Sequence, residues 1–242
     1  MEQQRKQIQK VRHELQRREL VVDSVTPLGE HFVSITFKGD SLDSFVSLGF
    51  DDHVKFFLDD VTGEPVRRDY TPRHYDTQSR QLTIEFALHD AGAASDWARQ
   101  AAPGQMATIG GPKGSRIVPP DYDWHLLVAD ATGLPAIRRR LEELPAGTRA
   151  IVVVLAGPSD RILPATQAQL ETYWADDADA MVAAVRALAI PAGEGYAWGG
   201  GEAGMIKRVR DVLVDEKAVP KDAMRMSAYW KQGAAEFHED IE

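Results

Sequence analysis

Two adjacent prolines and an aspartate at positions 119–121 separate two halves of the chain that differ in hydrophobic rhythm. Before this point, short stretches rich in β-branched and aromatic residues recur between turn residues, which is typical of strands. They predict six strands, at residues 19–25, 31–37, 53–58, 67–74, 81–88 and 106–109. One short helix is predicted near residues 94–101. Strands this short and this closely spaced favour a small antiparallel β-barrel.

After residue 121, strand patterns alternate with helix patterns. Residues 150–155 (AIVVVL) are β-branched without polar alternation, as in a parallel strand covered on both faces. The pattern predicts strands at 124–129, 150–155, 195–198 and 224–230, with helices at 135–144, 179–188 and 203–216. Such alternation favours a doubly wound α/β domain. We therefore predict a charged, helical N-terminal extension at 1–17, a six-stranded antiparallel barrel at 18–119 and a parallel-sheet α/β domain at 120–242.

Composition excludes several classes of chemistry. The chain has 242 residues and no cysteine, which rules out disulfides, cysteine-ligated clusters and thiolate nucleophiles within it, so redox chemistry requires a bound cofactor. The net charge of −9 argues against a nucleic-acid partner. With no apolar run of about 18 residues and no apolar signal region, we expect no membrane insertion and a cytoplasmic location. Scattered histidines and the lack of a G-x-S-x-G motif disfavour a metal site and hydrolysis.

The segment Arg68-Asp69-Tyr70-Thr71-Pro72-Arg73 is the strongest candidate for a ligand site. It lies between two predicted strands, so a cation, an aromatic ring and a hydroxyl are presented on a rigid support. An arginine binds phosphate oxygens bidentately, and Tyr70 shares the strand face of Arg68 because side chains alternate. This set suits a flavin dinucleotide: pyrophosphate at Arg68, ring at Tyr70, ring nitrogen at Thr71. An ordinary half-exposed strand would show the same local pattern.

Other segments are compatible with ligand binding but have simpler explanations. Residues 92–98 (GAASDWA) begin a helix whose N–H groups suit a pyrophosphate, or Ser95 simply caps that helix. Residues 110–115 (GGPKGS), which include Ser115, favour a structural turn, with a contact to the flavin side chain as the alternative. Residues 130–135 (DATGLP) end the first strand of the second half, where Thr132 contacts a nucleotide or caps a helix. Residues 199–204 match G-x-G-x-x-G but lie too late in the chain, which favours a tight turn.

Together these stretches resemble the siderophore-interacting proteins, flavin-dependent ferric-siderophore reductases related to ferredoxin–NADP reductases. The similarity runs from about residue 18 to residue 233. It is carried by HVKFFL (53–58), RDYTPR (68–73), GAASDWA (92–98), GGPKGS (110–115), LLVADATGLPA (126–136), LEELPAGTRA (141–150), YAWGGGEA (196–203) and SAYWKQG (227–233).

The resemblance implies FAD on the barrel and a ferric siderophore as substrate. Reduction of Fe(III) to Fe(II) would loosen the chelate and release iron, with no catalytic side chain required because the flavin carries the chemistry. The implied cofactor-binding residues are Arg68, Tyr70, Thr71, Arg73, His89, Ala94, Ser95, Trp97, Ser115, Thr132 and Trp230. The implied substrate-binding residues are Lys55, Arg73 and Lys231, with Lys207 and Arg208 as weaker candidates.

The electron donor is left open. The family carries a His-Arg pair after a tryptophan in the second domain, whereas this chain has Trp174 followed by Ala175 and Asp176. An arginine there would suit the 2′-phosphate of NADPH, so NADH, NADPH and ferredoxin all stay candidates. We expect a monomer. The competing hypotheses are a flavin-dependent ferredoxin or flavodoxin reductase and a siderophore carrier without enzymatic activity.

Overall fold

The computed structural model describes residues 6–58, 66–89, 92–234 and 239–241. The chain divides into two compact units, one of residues 7–118 and one of Lys6 with residues 119–241. The N-terminal five residues of the predicted extension lie outside the described residues. Within the described ranges, no helix combines the length and the apolar character that crossing a membrane requires.

The first unit is built on antiparallel strands. Its elements are β1 (Gln9–Arg12), β2 (Arg17–Pro27), β3 (Phe32–Lys38), β4 (Val54–Leu58), β5 (Val66–Tyr70), β6 (Pro72–Asp76), β7 (Gln81–Ala87), helix α1 (Ala93–Gln100), β8 (Met106–Gly110) and β9 (Gly114–Ile117). Seven strands form one sheet in the order β5-β4-β8-β2-β3-β7-β6, and β1 pairs separately with β9. The predicted antiparallel, barrel-like domain is confirmed.

Alternation along the strands produces the core of this unit. In β4, Val54, Phe56 and Leu58 are buried, whereas Lys55 is exposed. The ring of Phe56 packs edge-on against Phe86, with centroids 5.2 Å apart. Because one face of each strand turns inward, residues two apart along β4 and β5 share a face.

Two expectations for this unit were wrong in detail. The predicted strand at 67–74 is two strands, β5 and β6, separated at Thr71, so the sheet has seven strands and not six. Arg73 stands at a register shift between β6 and β7, where an extra residue re-aims a side chain. The predicted N-terminal helix is also wrong, since residues 9–12 pair with β9 as a strand.

The second unit is an open sheet covered by helices. Its elements are β10 (Trp124–Asp130), α2 (Leu134–Glu143), β11 (Arg149–Leu155), β12 (Gln169–Ala175), α3 (Ala178–Ala187), β13 (Gly195–Glu202), α4 (Ala203–Asp211), β14 (Met224–Trp230) and β15 (Glu239–Asp240). The sheet order is β12-β11-β10-β13-β14-β15, parallel except for β15. The predicted α/β domain is confirmed, although β12 was missed.

The glycines of residues 199–201 lie inside β13 and do not form the predicted tight turn. Close packing explains them. A Cβ at Gly199 would lie 2.5 Å from the sulfur of Met226, and one at Gly201 would lie 2.6 Å from a carboxylate oxygen of Asp130. Gly201 also has a φ of 154°, which L side chains rarely adopt.

Helix α2 buries three consecutive arginines. Arg138, Arg139 and Arg140 are 2%, 8% and 3% exposed. Arg138 donates to the carbonyl of Ile162 at 2.9 Å, and Arg140 donates to the carbonyl of Pro119 at 2.8 Å. Through these bonds, Arg138 and Arg140 join α2 to the loops on either side of it.

Candidate cofactor and electron-donor sites

Strand β5 presents two of the predicted flavin residues on one face. The register places Tyr70 opposite Val54 and Arg68 opposite Phe56, and paired residues of neighbouring strands share a face. Both side chains are half-buried. Arg68 donates to the carbonyl of Arg67 at 2.8 Å. A guanidinium and an aromatic ring therefore lie side by side on a single rigid strand.

The ring of Tyr70 is packed against the aromatic core. Its centroid lies 4.3 Å from that of Phe86 and 6.0 Å from that of Phe56. Burial raises the pKa of the Tyr70 phenol, and the charge of Arg68 opposes that rise. Thr71, buried and directly after Tyr70, occupies the break between β5 and β6. The phenol is therefore neutral across the physiological range.

Helix α1 packs on β4 and β7 and brings four more predicted residues together. Ser95 accepts from the backbone N–H of exposed His89 at 3.0 Å. Ala94 is buried in the same turn, and Trp97 packs 4.7 Å from Phe56. The N-cap residue is Gly92, and no side chain caps the helix. Its first turn is therefore available to an anion, while Ser95 and Trp97 also have structural contacts.

Ser115 lies in a separate interior network. Its hydroxyl donates to Asp52 at 2.5 Å, accepts from the N–H of Leu48 at 3.0 Å and bonds to His13 at 2.8 Å. Burial raises the pKa of the Asp52 carboxyl, and the bond from Ser115 opposes the rise. These three bonds favour a structural role for Ser115, which joins His13, in the segment before β2, to the loop that contains Leu48 and Asp52.

The predicted substrate cations of the first unit, Lys55 and Arg73, each have a carboxylate partner. Lys55 is paired with Asp69 at 2.8 Å on the face of β4 and β5 opposite to Arg68. Arg73 is paired with Glu85 at 3.1 Å, with side chains only 11% and 6% exposed, which favours a structural role. Lys231 is exposed just after β14, in the other unit.

The weaker candidates lie on α4. Arg208 is paired with Asp179 at 2.6 Å, and Lys207 is exposed on the same helix. Both residues stand beyond the first turn of α4. The structure thus gives Arg208 an ionic partner within its own unit.

In the second unit, Asp130 organises the carboxyl edge of the sheet. Strand order reverses between β10 and β13, the switch point where α/β sheets bind ligands. Asp130 accepts from the N–H and hydroxyl of Thr132 at 2.8 and 2.5 Å, from the N–H of Glu202 at 2.8 Å and from the indole of Trp230 at 2.8 Å. Burial raises the pKa of the Asp130 carboxyl, and these donors oppose the rise.

This arrangement holds two predicted residues, Thr132 and Trp230, at one edge. Trp230 is 42% exposed although its N–H is bonded, so its ring is fixed in direction and open on its surface. Asp130 itself was missed. The signal was an aspartate at the end of the first strand followed two residues later by threonine, a pattern typical of side-chain-to-backbone turns.

A second missed feature lies at the ends of β11 and β12. Arg161 is placed over Trp174, with its central guanidinium carbon 5.9 Å from the ring centroid, and bonds to Asp176. It also donates to the carbonyl of Ala156 at 3.1 Å. Sequence order did not reveal that a loop arginine reaches the tryptophan.

The residues of the first unit fit FAD. The half-buried face of Arg68 and Tyr70 offers a phosphate fork beside a ring. A Cβ at Gly92, the N-cap residue of α1, would meet no described atom within 4 Å. Helix N-termini bind phosphates through their free N–H groups. No group of metal-ligating side chains is found among residues 6–58, 66–89, 92–234 and 239–241.

An antiparallel barrel-like sheet followed by an open parallel sheet is the fold class that this chain shares with a solved Amycolatopsis cytochrome P450 reductase and a solved ferredoxin reductase, at TM-scores of 0.66 and 0.69. Within that class, the siderophore-interacting protein family model matches residues 122–233, and the siderophore-interacting FAD-binding domain model matches residues 60–116. The chain belongs to the siderophore-interacting protein family.

Relatives and solved structures agree with this assignment. The chain is 38% identical to an NADPH-dependent ferric-chelate reductase of Escherichia coli, over 92% of this chain and 96% of that protein. It is 26% identical to a ferric vibriobactin reductase of Vibrio cholerae, over 88% and 89%. A siderophore utilization protein from T. fusca superposes with a TM-score of 0.88 at 28% identity, covering 96% of this chain and 98% of that one.

Proposed function

We propose that this chain is an FAD-dependent reductase that converts Fe(III) in a siderophore to Fe(II), with NAD(P)H or reduced ferredoxin as electron donor. The observation that carries the proposal is the shared face of Arg68 and Tyr70 on β5, within a domain that matches a siderophore-interacting FAD-binding model. FAD, when bound, supplies the redox chemistry between a two-electron donor and one-electron reduction of iron. The oxidoreductase relatives support the same conclusion.

The side chains of the first unit bind and orient. Arg68 holds the pyrophosphate through its guanidinium fork, and Tyr70 faces the flavin ring with a neutral phenol. Thr71, next in the chain, offers its hydroxyl to a ring nitrogen. The first turn of α1 receives the dinucleotide arm, with Ala94 and Ser95 giving it room and His89 at its exposed edge.

The second unit would receive a pyridine dinucleotide along its carboxyl edge. Asp130 keeps Thr132 and the Trp230 ring in fixed positions there. Because all four donors that bond to Asp130 point at one buried carboxylate, the edge is preorganised before the ligand arrives.

The substrate is an anionic ferric chelate, attracted by exposed lysines on an otherwise acidic protein. Lys231 and Lys55 are our candidates for binding the chelate, and the Asp69 carboxylate partly neutralises the positive charge of Lys55. Fe(II) prefers hard oxygen ligands less than Fe(III), so reduction loosens the chelate. No side chain has to move a proton for this release.

The test compares matched arginine variants. Arg68→Gln should purify largely without FAD, whereas Arg67→Gln, which changes the adjacent residue on the opposite strand face, should retain it. Flavin absorbance of the purified protein gives the stoichiometry. Equal FAD content in both variants would contradict the assignment of Arg68.

Activity then separates the hypotheses. Under argon, the FAD-loaded protein is supplied with NADPH, NADH or reduced ferredoxin, and Fe(II) released from ferric catecholate, hydroxamate and citrate chelates is trapped with a chromogenic ligand. A siderophore carrier would contain no flavin. A ferredoxin or flavodoxin reductase would oxidise donor without releasing Fe(II). A monomeric state and a cytoplasmic location stay predictions, to be tested by light scattering and cell fractionation.

A further inference from the structure

Near the carboxyl ends of β11 and β12, the guanidinium of an arginine, Arg161, lies over the ring of Trp174. Arg161 follows a short 3-10 turn, Pro158–Asp160, and lies over Trp174, the residue before the last one of β12. The side chain of Arg161 is 25% exposed and that of Asp176, its ionic partner, is 85% exposed. The guanidinium is therefore held in place by the ring, while its counter-ion is almost fully in solvent.

The position of this pair relates it to the switch point. Strand β12 is separated from β10, which ends at Asp130, by β11, which is two strand spacings or about 10 Å along the sheet edge. An extended dinucleotide whose nicotinamide lies near Asp130 reaches its adenosine end toward β12. Open α/β sheets bind such ligands outside the carboxyl ends of their strands.

The bonding of Arg161 leaves it suited to an anion. Its Nε donates to the carbonyl of Ala156 and fixes the plane of the guanidinium. One terminal nitrogen bonds to Asp176. Exposed ion pairs contribute little to stability, so a phosphate dianion in the same place would displace the Asp176 carboxylate into solvent. An arginine near the adenosine ribose is the group that accommodates a 2′-phosphate.

Two other acidic residues that follow Asp176 in the chain are already engaged. Asp177 caps α3 by accepting from the N–H of Ala180 at 2.7 Å, and Asp179 is paired with Arg208. Asp176 is therefore the anion that competes directly for Arg161.

We propose that Arg161, seated on Trp174, is the residue that selects NADPH over NADH by binding the adenosine 2′-phosphate, and that Asp176 occupies this position in its absence. The inference rests on the proposed use of a pyridine dinucleotide by this enzyme. The arginine that determines nucleotide specificity would then lie on the loop after β11. In the family, by contrast, a His-Arg pair follows the tryptophan in the chain.

The test measures binding and not turnover. Isothermal titration of the FAD-loaded full chain with 2′,5′-ADP and with 5′-AMP should show about tenfold or greater preference for 2′,5′-ADP. Arg161→Gln should abolish that preference. Asp176→Asn should strengthen 2′,5′-ADP binding several-fold and leave 5′-AMP unchanged, because it removes the competing anion.

The matched control is Arg149→Gln. Arg149 forms an exposed ion pair with Glu171 on the same two strands, at 2.9 Å, but at their amino ends. That variant should keep the full preference. If Arg161→Gln disturbs its loop, as circular dichroism would show, Asp176→Asn still decides, since unchanged or weaker 2′,5′-ADP binding overturns the proposal.

The outcomes also separate this inference from the proposed function. A wild-type protein that reduces ferric chelates but binds both nucleotides equally would overturn the role of Arg161 and leave the reductase intact. A protein that prefers 2′,5′-ADP but releases no Fe(II) would do the reverse.

Discussion

The pair of Arg73 and Glu85 allows a sharp test of how β6 is held against β7. The side chains are 11% and 6% exposed and 3.1 Å apart, so Glu85→Gln removes the negative charge of a buried partner from Arg73. Removing one partner of a buried ion pair costs about 3–5 kcal/mol. With a urea slope of about 2 kcal/mol per M, the unfolding midpoint of the first unit should fall by about 2 M.

The assay must distinguish the two units, because a chain with two units does not unfold in one step. Hydrogen exchange read on peptides from each unit at increasing urea gives separate midpoints. The control, Glu171→Gln, breaks an exposed pair of 47% and 39% exposed side chains and should cost at most about 1 kcal/mol.

Replacing both partners tests whether the lost stability comes from the buried charge that remains when only one partner is changed. Arg73→Met with Glu85→Leu fills the space with apolar atoms and should recover most of the lost stability. A loss of stability in Glu85→Gln no greater than that in Glu171→Gln would contradict a structural role for the pair of Arg73 and Glu85.

Three further predictions concern other sites. Gly201→Ala should destabilise the second unit by about 2–4 kcal/mol, because it strains a φ of 154° and drives a methyl group against Asp130; a urea midpoint within error of wild type would contradict this. Burial, and next the charge of Arg140, lower the pKa of His125 from 6.5 to about 3. The unfolding free energy should therefore fall as pH drops through that window, by about 1.4 kcal/mol per pH unit for this group, and His125→Gln should flatten the dependence measured between about pH 7 and pH 5. Burial raises the pKa of Tyr70 above its usual 10.0, so ultraviolet titration of Tyr70→Phe should match wild type near that pH; loss of one ionising phenol would refute the packing.

The fold was largely predictable because its signals are local. Strands β3, β4, β7 and β11 alternate or run apolar in the way that their burial requires. Strand β12 escaped prediction because it is an edge strand whose residues are mostly exposed or half-buried, so hydrophobic periodicity is weak. The glycines of β13 were predicted to form a turn. The atoms that leave no room for a side chain there belong to Asp130 and Met226, which are distant in sequence.

In the candidate site too, local features were predictable from the sequence and contacts between distant residues were not. Arg68 and Tyr70 were predictable to share a face because strand periodicity alone places them together. The opposite orientation of Lys55 follows from that periodicity too, once the pairing register is known. The contact between Arg161 and Trp174 depends on the path of a loop, which no spacing in the sequence encodes.

The three interior arginines of α2 have an implication for how this protein tolerates change. Two of them donate to main-chain oxygens, which every amino acid supplies, so these two bonds require the arginines but no particular side chain at residues 119 and 162. Substitution of Arg138 by lysine would forfeit the planar fork that reaches both the Asp160 and Ile162 carbonyls. A mutational scan should therefore find that substitutions of these arginines on α2 are poorly tolerated. Substitutions of the loop residues whose carbonyls accept their bonds should be tolerated well.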